Sequence, residues 1–159
     1  MSYFNEQETA KRIAALKGLL RAKGLDAALV YYDELNIANG WYLTGWCPQF
    51  EKGAVLVPIE GVSELLGMEE GVPLLLGGPE SEPFAQMGSA IRETRCFPVF
   101  MVPEEEYPNA TIIDFVMLNA ELKKAGTVLR RIGLVGTATI PHQVYCDFAA
   151  GFDGGGIVD

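Results

Sequence analysis

Two short apolar runs constrain the fold of this 159-residue chain more than any other feature. Residues 25–32 (LDAALVYY) follow a helical pattern, and residues 53–58 (GAVLVP) begin at a glycine and end at a proline. Apolar runs of this length, in which apolar and polar positions do not alternate, are typical of strands that are covered on both faces. The sequence therefore predicts a sheet flanked by helices.

Helical segments precede and follow these strands. Asn5, with Glu8 three residues later, resembles a capping box, and Gly24 is expected to end the first helix. Further helices are predicted over residues 80–92, 111–125 and 139–151. Pro83 lies in the first turn of one of them, Thr111 with Asp114 caps the next, and Thr139 and Pro141 open the last.

The remaining strands are predicted over residues 62–67, 73–76, 95–102 and 131–135. Pro98 places the third of these at an edge of the sheet or at a bulge, because proline donates no ladder hydrogen bond. Helices and strands alternate at both ends of the chain, with a meander between them, which predicts the α/β class with a mixed sheet flanked by helices. The predicted core consists of Leu29, Val30, Val55, Leu56, Ile132 and Leu134.

Charge and cysteine content exclude several classes of function. The chain has 12 Lys and Arg against 21 Asp and Glu, a net charge of −9 that disfavours nucleic acid and anionic membrane surfaces as partners. No apolar run is long enough to span a bilayer, and residues 1–8 do not resemble a secretory signal. Cys47, Cys96 and Cys146 lie far apart, which favours three small, buried, unpaired cysteines in a reducing cytoplasm.

No catalytic motif stands out in the sequence. His142 is the single histidine, and a surface or capping role is favoured over metal binding or general base catalysis, because no Asp/Glu/His cluster with ligand spacing surrounds it. The glycines at 154–156 favour a flexible linker, and those at 77–78 favour a strand-to-helix turn over an anion site. We therefore predict no catalytic residue and no metal site in this chain.

An aromatic cluster is the strongest candidate for a binding surface. Trp41, Tyr42, Trp46 and Phe50 fall within ten residues, close to the loop signals Gly45 and Pro48. Core packing accounts for part of this cluster. Exposed aromatic side chains are also favoured at interfaces and ligand sites, so both interpretations stay open from the residues alone.

Residues 39–45, Asn-Gly-Trp-Tyr-Leu-Thr-Gly, resemble the Asn-x-x-Tyr-Leu-Thr-Gly stretch of the N-terminal domains of creatinases, prolidases and Xaa-Pro aminopeptidases. Segments similar to those of this family follow the same order along the chain, at residues 23–30, 77–80, 131–136 and 156–159. The resemblance implies a ribonuclease H-like α/β fold for residues 1–152. It also implies that residues 153–159 begin a linker to a C-terminal catalytic domain that is absent from this chain.

The resemblance further implies a non-catalytic accessory domain of a creatinase or of an Xaa-Pro dipeptidase or aminopeptidase. Such a domain supplies dimer contacts and part of the substrate-pocket wall, so the implied partners are its own catalytic domain and a second copy in a homodimer. In the peptidases of the family the catalytic domain holds two divalent metal ions, for which Mn, Co or Zn are candidates. None of the side chains that bind those ions in the catalytic domain is expected in this chain. Creatinases share the fold without needing metal, so the substrate class stays open.

Three residues are candidates for substrate binding. Phe50 and Lys52 occupy places similar to those at which creatinases present an aromatic and a basic residue to the active site of the partner subunit, and Trp46 would support the loop. Lysine replaces arginine here, and it cannot form the bidentate fork that arginine makes with a carboxylate. The alternative function is a free-standing small-molecule binding module that uses the aromatic loop 41–52.

We predict that the purified chain hydrolyses neither Xaa-Pro dipeptides nor creatine and copurifies with no metal in a structural or catalytic site. The reason is that the sequence contains no Asp/Glu/His cluster with the spacing of metal ligands. Hydrolysis assays with added Mn²⁺, Co²⁺ or Zn²⁺, together with metal analysis of the purified protein, check this expectation. Turnover, or a stoichiometric metal ion that is retained through His142, would contradict it.

Overall fold

The computed structural model describes residues 6–47, 52–60, 73–78, 81–100, 114–152 and 157–158. Its helices are α1 (Glu6–Lys23), α2 (Ile37–Thr44), α3 (Ser81–Gly88), α4 (Phe115–Lys124) and α5 (His142–Gly151), with a 3₁₀ turn at Pro98–Phe100. Its strands are β1 (Ala27–Tyr32), β2 (Gly53–Pro58), β3 (Leu74–Gly77), β4 (Glu93–Cys96), β5 (Ile132–Val135) and β6 (Ile157–Val158). They form one sheet in the order β4-β3-β2-β1-β5-β6.

Strand β1 lies at the centre of the sheet, and all six of its residues are buried. It pairs antiparallel with β2, from Ala27 opposite Pro58 to Tyr32 opposite Gly53, and it pairs parallel with β5. Among the described strands only β2 runs against the others, since β3 is antiparallel to β2, β4 is parallel to β3, and β6 is parallel to β5. The predicted mixed sheet is confirmed.

Alternate residues of the sheet face two separate apolar cores. Residues such as Leu29 and Tyr31 pack in one core with α4, α5 and the 3₁₀ turn. Residues such as Val30 and Tyr32 pack in the other core with α1, α2 and α3. All six predicted core residues are buried, with Leu29, Val55, Leu56 and Ile132 at 0% exposure and Val30 and Leu134 at 3%. The predicted arrangement of a sheet flanked by helices is therefore confirmed.

Several boundaries differ from those predicted. Gly24 ends α1 with a φ of +64°, as expected, but α3 ends at Gly88 rather than near residue 92. The predicted strand 95–102 is wrong in its extent, because β4 ends at Cys96 and Pro98 begins the 3₁₀ turn. Proline has no N–H to continue the ladder, so pairing stops before it. The edge position predicted for this strand is confirmed, since β4 is the outermost of the strands that the structure describes.

The N-terminal cap of α4 also differs from the prediction. Asp114 is the N-cap itself, and its Oδ1 accepts a hydrogen bond of 2.7 Å from the backbone N–H of Met117. Thr111, the predicted start of this cap, lies outside the described residues, as do Asn5 and the predicted strand 62–67. Ile157–Val158, in the predicted linker segment, pairs with β5. The domain boundary after residue 152 stays a prediction.

Helix α2 was not predicted, since residues 41–52 were interpreted as an aromatic loop. It packs directly on β1, and Gly40 faces the ring of Tyr32 so closely that a Cβ at Gly40 would overlap that ring. Leu43 and Thr44 are buried on the same side. Gly45 ends the helix in the left-handed conformation with a φ of +67°, and its N–H donates to the carbonyl of Trp41 at 2.8 Å.

We predict that Gly40→Ala lowers the free energy of unfolding by about 2–3 kcal/mol, because the added methyl group overlaps a buried ring that has no room to move. Gly18→Ala is the matched control, since Gly18 lies in the interior of α1 with no atom near its missing side chain. This control is expected to gain about 0.5–1 kcal/mol from helix propensity alone. Denaturant unfolding of both variants tests the contrast, and equal stabilities would show that α2 does not pack closely on Tyr32.

Candidate functional site

The outer side of α2 carries two exposed aromatic rings. Trp41 is 57% exposed and Tyr42 is 55% exposed. The guanidinium carbon of Arg12, from α1, lies 4.5 Å from the centroid of the Tyr42 ring, and Arg12 Nη1 donates to the backbone carbonyl of Tyr42 at 3.0 Å. Arg12 Nε also donates to Glu8 at 3.2 Å. A cation held in place from a neighbouring helix thus orients one of the two rings.

Trp46, the first predicted site residue, is anchored inward rather than presented to solvent. Its backbone N–H donates to Thr44 Oγ1 at 2.8 Å, and the Thr44 hydroxyl donates in turn to the carbonyl of Gly40 at 2.8 Å. The ring is half-buried against Gly88 at the end of α3, where a Cβ would come within 3.0 Å of it. The indole Nε1 is buried without a hydrogen-bond partner among the described residues.

The end of α2 is also tied to the segment that follows α3. The carbonyl of Thr44 accepts a hydrogen bond from the backbone N–H of Ala90 at 2.8 Å and one from Ser89 Oγ at 3.4 Å. Ser89 Oγ accepts from the N–H of Ile91 at 2.9 Å. Both Thr44 and Ser89 are buried, so these bonds fix the junction on which Trp46 rests.

Cys47 lies next to Trp46 and is exposed, as is Cys146, so the prediction that the cysteines are buried is wrong for these two and confirmed for Cys96. Loss of solvation raises the pKa of the Cys47 thiol above the ordinary value, and the nearby carboxylate of Glu34 raises it further. The thiol is therefore protonated near neutral pH, and a protonated thiol is a poor nucleophile and a poor metal ligand. This part of the surface offers aromatic contacts rather than an activated nucleophile.

Lys52, the third predicted site residue, directly precedes β2 and is half-buried. Its backbone N–H donates to the carbonyl of Phe100 at 3.3 Å. Because β2 runs against its neighbours, its first residue, Gly53, lies beside the last residues of β1 and β3, Tyr32 and Gly77. Lys52 therefore lies at the edge where the parallel strands end, which is where α/β sheets commonly bind ligands.

The structure describes two of the three predicted site residues, Trp46 and Lys52. Trp46 rests on Gly88 and Lys52 is held at Phe100, and none of the described contacts joins the two. Phe50 lies outside the described residues. The proposed pocket wall formed by Trp46, Phe50 and Lys52 stays a prediction.

A cleft of about 600 Å³ lies at the opposite edge of the sheet, lined by Asp26, Ile59, Glu60 and residues 125–129. The carboxylate of Asp26 is already engaged there, because its Oδ2 accepts hydrogen bonds from the backbone N–H groups of Arg130 and Arg131 at 2.7 and 2.8 Å. This carboxylate thus serves to fix the start of β5 beside β1.

Sequence reasoning missed one pair of reactive side chains. His142 is exposed at the start of α5, and the Sγ atom of Cys146 lies 3.5 Å from its Nε2 atom. The two residues are four apart in a predicted helix, so the spacing alone places them on one face. In the part of the chain that the structure describes, no three His, Cys, Asp or Glu side chains come together as a metal cluster.

Neither a model of a protein family nor a curated protein matches this sequence. Solved structures match its fold. The N-terminal domain of the cytoplasmic peptidase PepQ from Mycobacterium tuberculosis has a TM-score of 0.56 and 18% identity, over 93% of this chain and 91% of that one. The creatinase/prolidase N-terminal domain of an X-Pro dipeptidase from Streptococcus pyogenes has a TM-score of 0.59 and 15% identity, over 93% and 92%.

A longer protein also matches. The Xaa-Pro dipeptidase from Bacillus anthracis has a TM-score of 0.57 and 12% identity, and the match covers 94% of this chain but 33% of that one. The chain thus spans about a third of the length of that dipeptidase. Together these structures confirm the predicted fold, which is that of the creatinase/prolidase N-terminal domains. Among the described residues, no helix is both long enough and apolar enough to cross a membrane.

We predict that Thr44→Val releases Trp46 from its anchored position. The substitution keeps the shape of the side chain but removes the acceptor for the Trp46 N–H and the donor to Gly40, at an expected cost of about 1–2 kcal/mol. In a Trp41→Phe background, in which Trp46 is the remaining tryptophan, its fluorescence emission should shift to longer wavelength as the ring gains contact with water. An unchanged emission maximum would mean that the Thr44 hydroxyl does not position the ring.

Proposed function

We propose that this chain is the non-catalytic N-terminal accessory domain of a cytoplasmic hydrolase of the Xaa-Pro dipeptidase, Xaa-Pro aminopeptidase or creatinase type. The observation that carries the proposal is the extent of the match. The chain corresponds almost end to end with two solved N-terminal domains, of which it covers 91% and 92%, and with only 33% of a longer dipeptidase. An N-terminal position within a larger enzyme accounts for both the nearly complete coverage of the isolated domains and the partial coverage of the longer protein.

The chemistry of the described surface supports an accessory role. The pKa of the Cys47 thiol is raised by its surroundings, and the large exposed side chains on α2 are Trp41 and Tyr42, aromatic groups of the kind enriched at interfaces. In the proposed parent enzyme, catalysis belongs to a C-terminal domain, with two divalent ions such as Mn²⁺, Co²⁺ or Zn²⁺ if the enzyme is a peptidase. Candidate substrates are Xaa-Pro peptides, creatine, or a related small amide or amidine, and the first two carry a carboxylate.

The proposed contribution of this domain is one wall of the substrate pocket across a homodimer. Lys52 supports this assignment by its place at the strand-end edge of the sheet, half-buried, where its ammonium group can attract a substrate carboxylate. Phe50, two residues earlier, would supply an apolar surface, and Trp46 would brace the segment from its seat on Gly88.

A free-standing small-molecule binding module is the second candidate, and the exposure of Trp41 and Tyr42 favours it. The coding sequence beyond Asp159 separates the two functions. A continuing frame that supplies two Asp, one His and two Glu at metal-ligand spacing supports the accessory domain of a peptidase. A stop codon directly after Asp159 supports the binding module.

In the longer enzyme, we predict that Phe50→Ala and Lys52→Ala each lower kcat/KM by roughly tenfold, the effect of losing one charge-assisted or well-packed contact to substrate. Lys11→Ala is the control, since Lys11 is an exposed lysine on α1, and it should keep wild-type kinetics. Steady-state kinetics, with thermal unfolding to verify folding, measures both effects. Wild-type values in both loop variants would leave residues 46–52 with a structural role only.

A further inference from the structure

His142 and Cys146 present two metal-binding atoms on the exposed face of α5. Cys146 Sγ lies 3.5 Å from His142 Nε2 and 3.8 Å from His142 Nδ1. Both side chains are exposed, and Cys146 is a free thiol. Imidazole nitrogen and thiolate sulfur are the ligand pair that Zn²⁺ and similar borderline-soft cations prefer.

The two side chains are within reach of one shared metal ion. Zinc binds sulfur at about 2.3 Å and histidine nitrogen at about 2.05 Å, so a tetrahedral angle separates the two ligand atoms by about 3.6 Å. Sγ lies 3.5 and 3.8 Å from the two ring nitrogens, so it is close enough to share an ion with the imidazole but lies on the lone-pair axis of neither nitrogen. Binding one ion together therefore requires rotation of the imidazole, which the exposed position of His142 permits.

The opposite face of α5 holds the backbone between the two ligands in place. Val144 and Phe148 are buried on that face, and the ring of Phe148 meets the ring of Phe115, from α4, edge to face at 5.4 Å. Gly151 lets α4 approach, since a Cβ there would overlap Phe115. Ligands carried on a helix that is packed in this way lose little freedom when they bind an ion.

We propose that His142 and Cys146 form an open, two-ligand site for Zn²⁺ or a similar divalent cation, with water in the remaining positions. The carboxylate of Asp147 accepts a hydrogen bond from Gln143 at 2.7 Å, and among the described residues no third His, Cys, Asp or Glu side chain joins the pair. A site with two protein ligands exchanges its metal readily, unlike a closed structural site. The proposal revises the sequence prediction for His142, which did not count Cys146, and it goes beyond the proposed accessory function.

Cobalt(II) is the probe for this site, because it takes the place of zinc and shows a thiolate-to-cobalt charge-transfer band in the near ultraviolet when sulfur is bound. The reduced 159-residue chain is titrated with Co²⁺, and the bound cobalt is then displaced with Zn²⁺. The same titration is run on Cys146→Ala, His142→Ala, His142→Gln and Cys47→Ala. Cys47 is the other exposed cysteine, which makes its variant the matched control.

The proposal expects a saturable band with one cobalt per chain, abolished in Cys146→Ala and unchanged in Cys47→Ala. Removal of the imidazole in either His142 variant should weaken cobalt binding at least tenfold, because one of two ligands is lost. Circular dichroism verifies that each variant is folded. The proposal is overturned if the wild type shows no band, if Cys146→Ala keeps it, if Cys47→Ala loses it, or if both His142 variants bind as tightly as the wild type.

Discussion

The close contact between Tyr32 and Gly40 fixes the half of the molecule that carries the candidate site. The ring of Tyr32 ends the central strand and lies between Gly40 of α2 and Gly53 of β2, two positions where a side chain would collide with it. Full burial holds the pKa of its phenol well above the ordinary value, so the ring stays neutral within the apolar core. Because only a glycine leaves room for this ring, the contact sets how closely α2 lies against β1, and Gly45 then ends the helix just before Trp46.

The surface that follows from this packing presents aromatic side chains on a rigid base. Thr44 links α2 to the segment after α3, and Trp46 rests on that junction, so the chain leaves α2 from a rigid base. Trp41 and Tyr42 face outward from the same helix, and Arg12 orients Tyr42. Aromatic side chains presented on a rigid scaffold lose little entropy on binding, which suits the wall of a pocket or an interface.

The His142–Cys146 pair belongs to a different part of the fold. Helix α5 packs in the core with α4, on the face of the sheet opposite α2, and its ligands point away from that core. The proposed accessory function and the proposed metal site therefore rest on separate residues and separate elements.

Local patterns were sufficient to predict the central strands and the six core residues, because burial on both faces requires continuous apolar runs. They were also sufficient to predict the first helix and, through the motif at residues 39–45, the class of fold. They were insufficient for α2, whose Asn, Gly, Trp, Tyr and Thr residues are weak helix formers. The position of that helix on the sheet depends on the contact between Gly40 and the ring of Tyr32, which local sequence patterns do not reveal. The spacing of His142 and Cys146 was visible in the sequence. Only the tertiary structure decided that the side chains of His142 and Cys146 both face solvent, because it buries Val144 and Phe148 on the opposite side of α5.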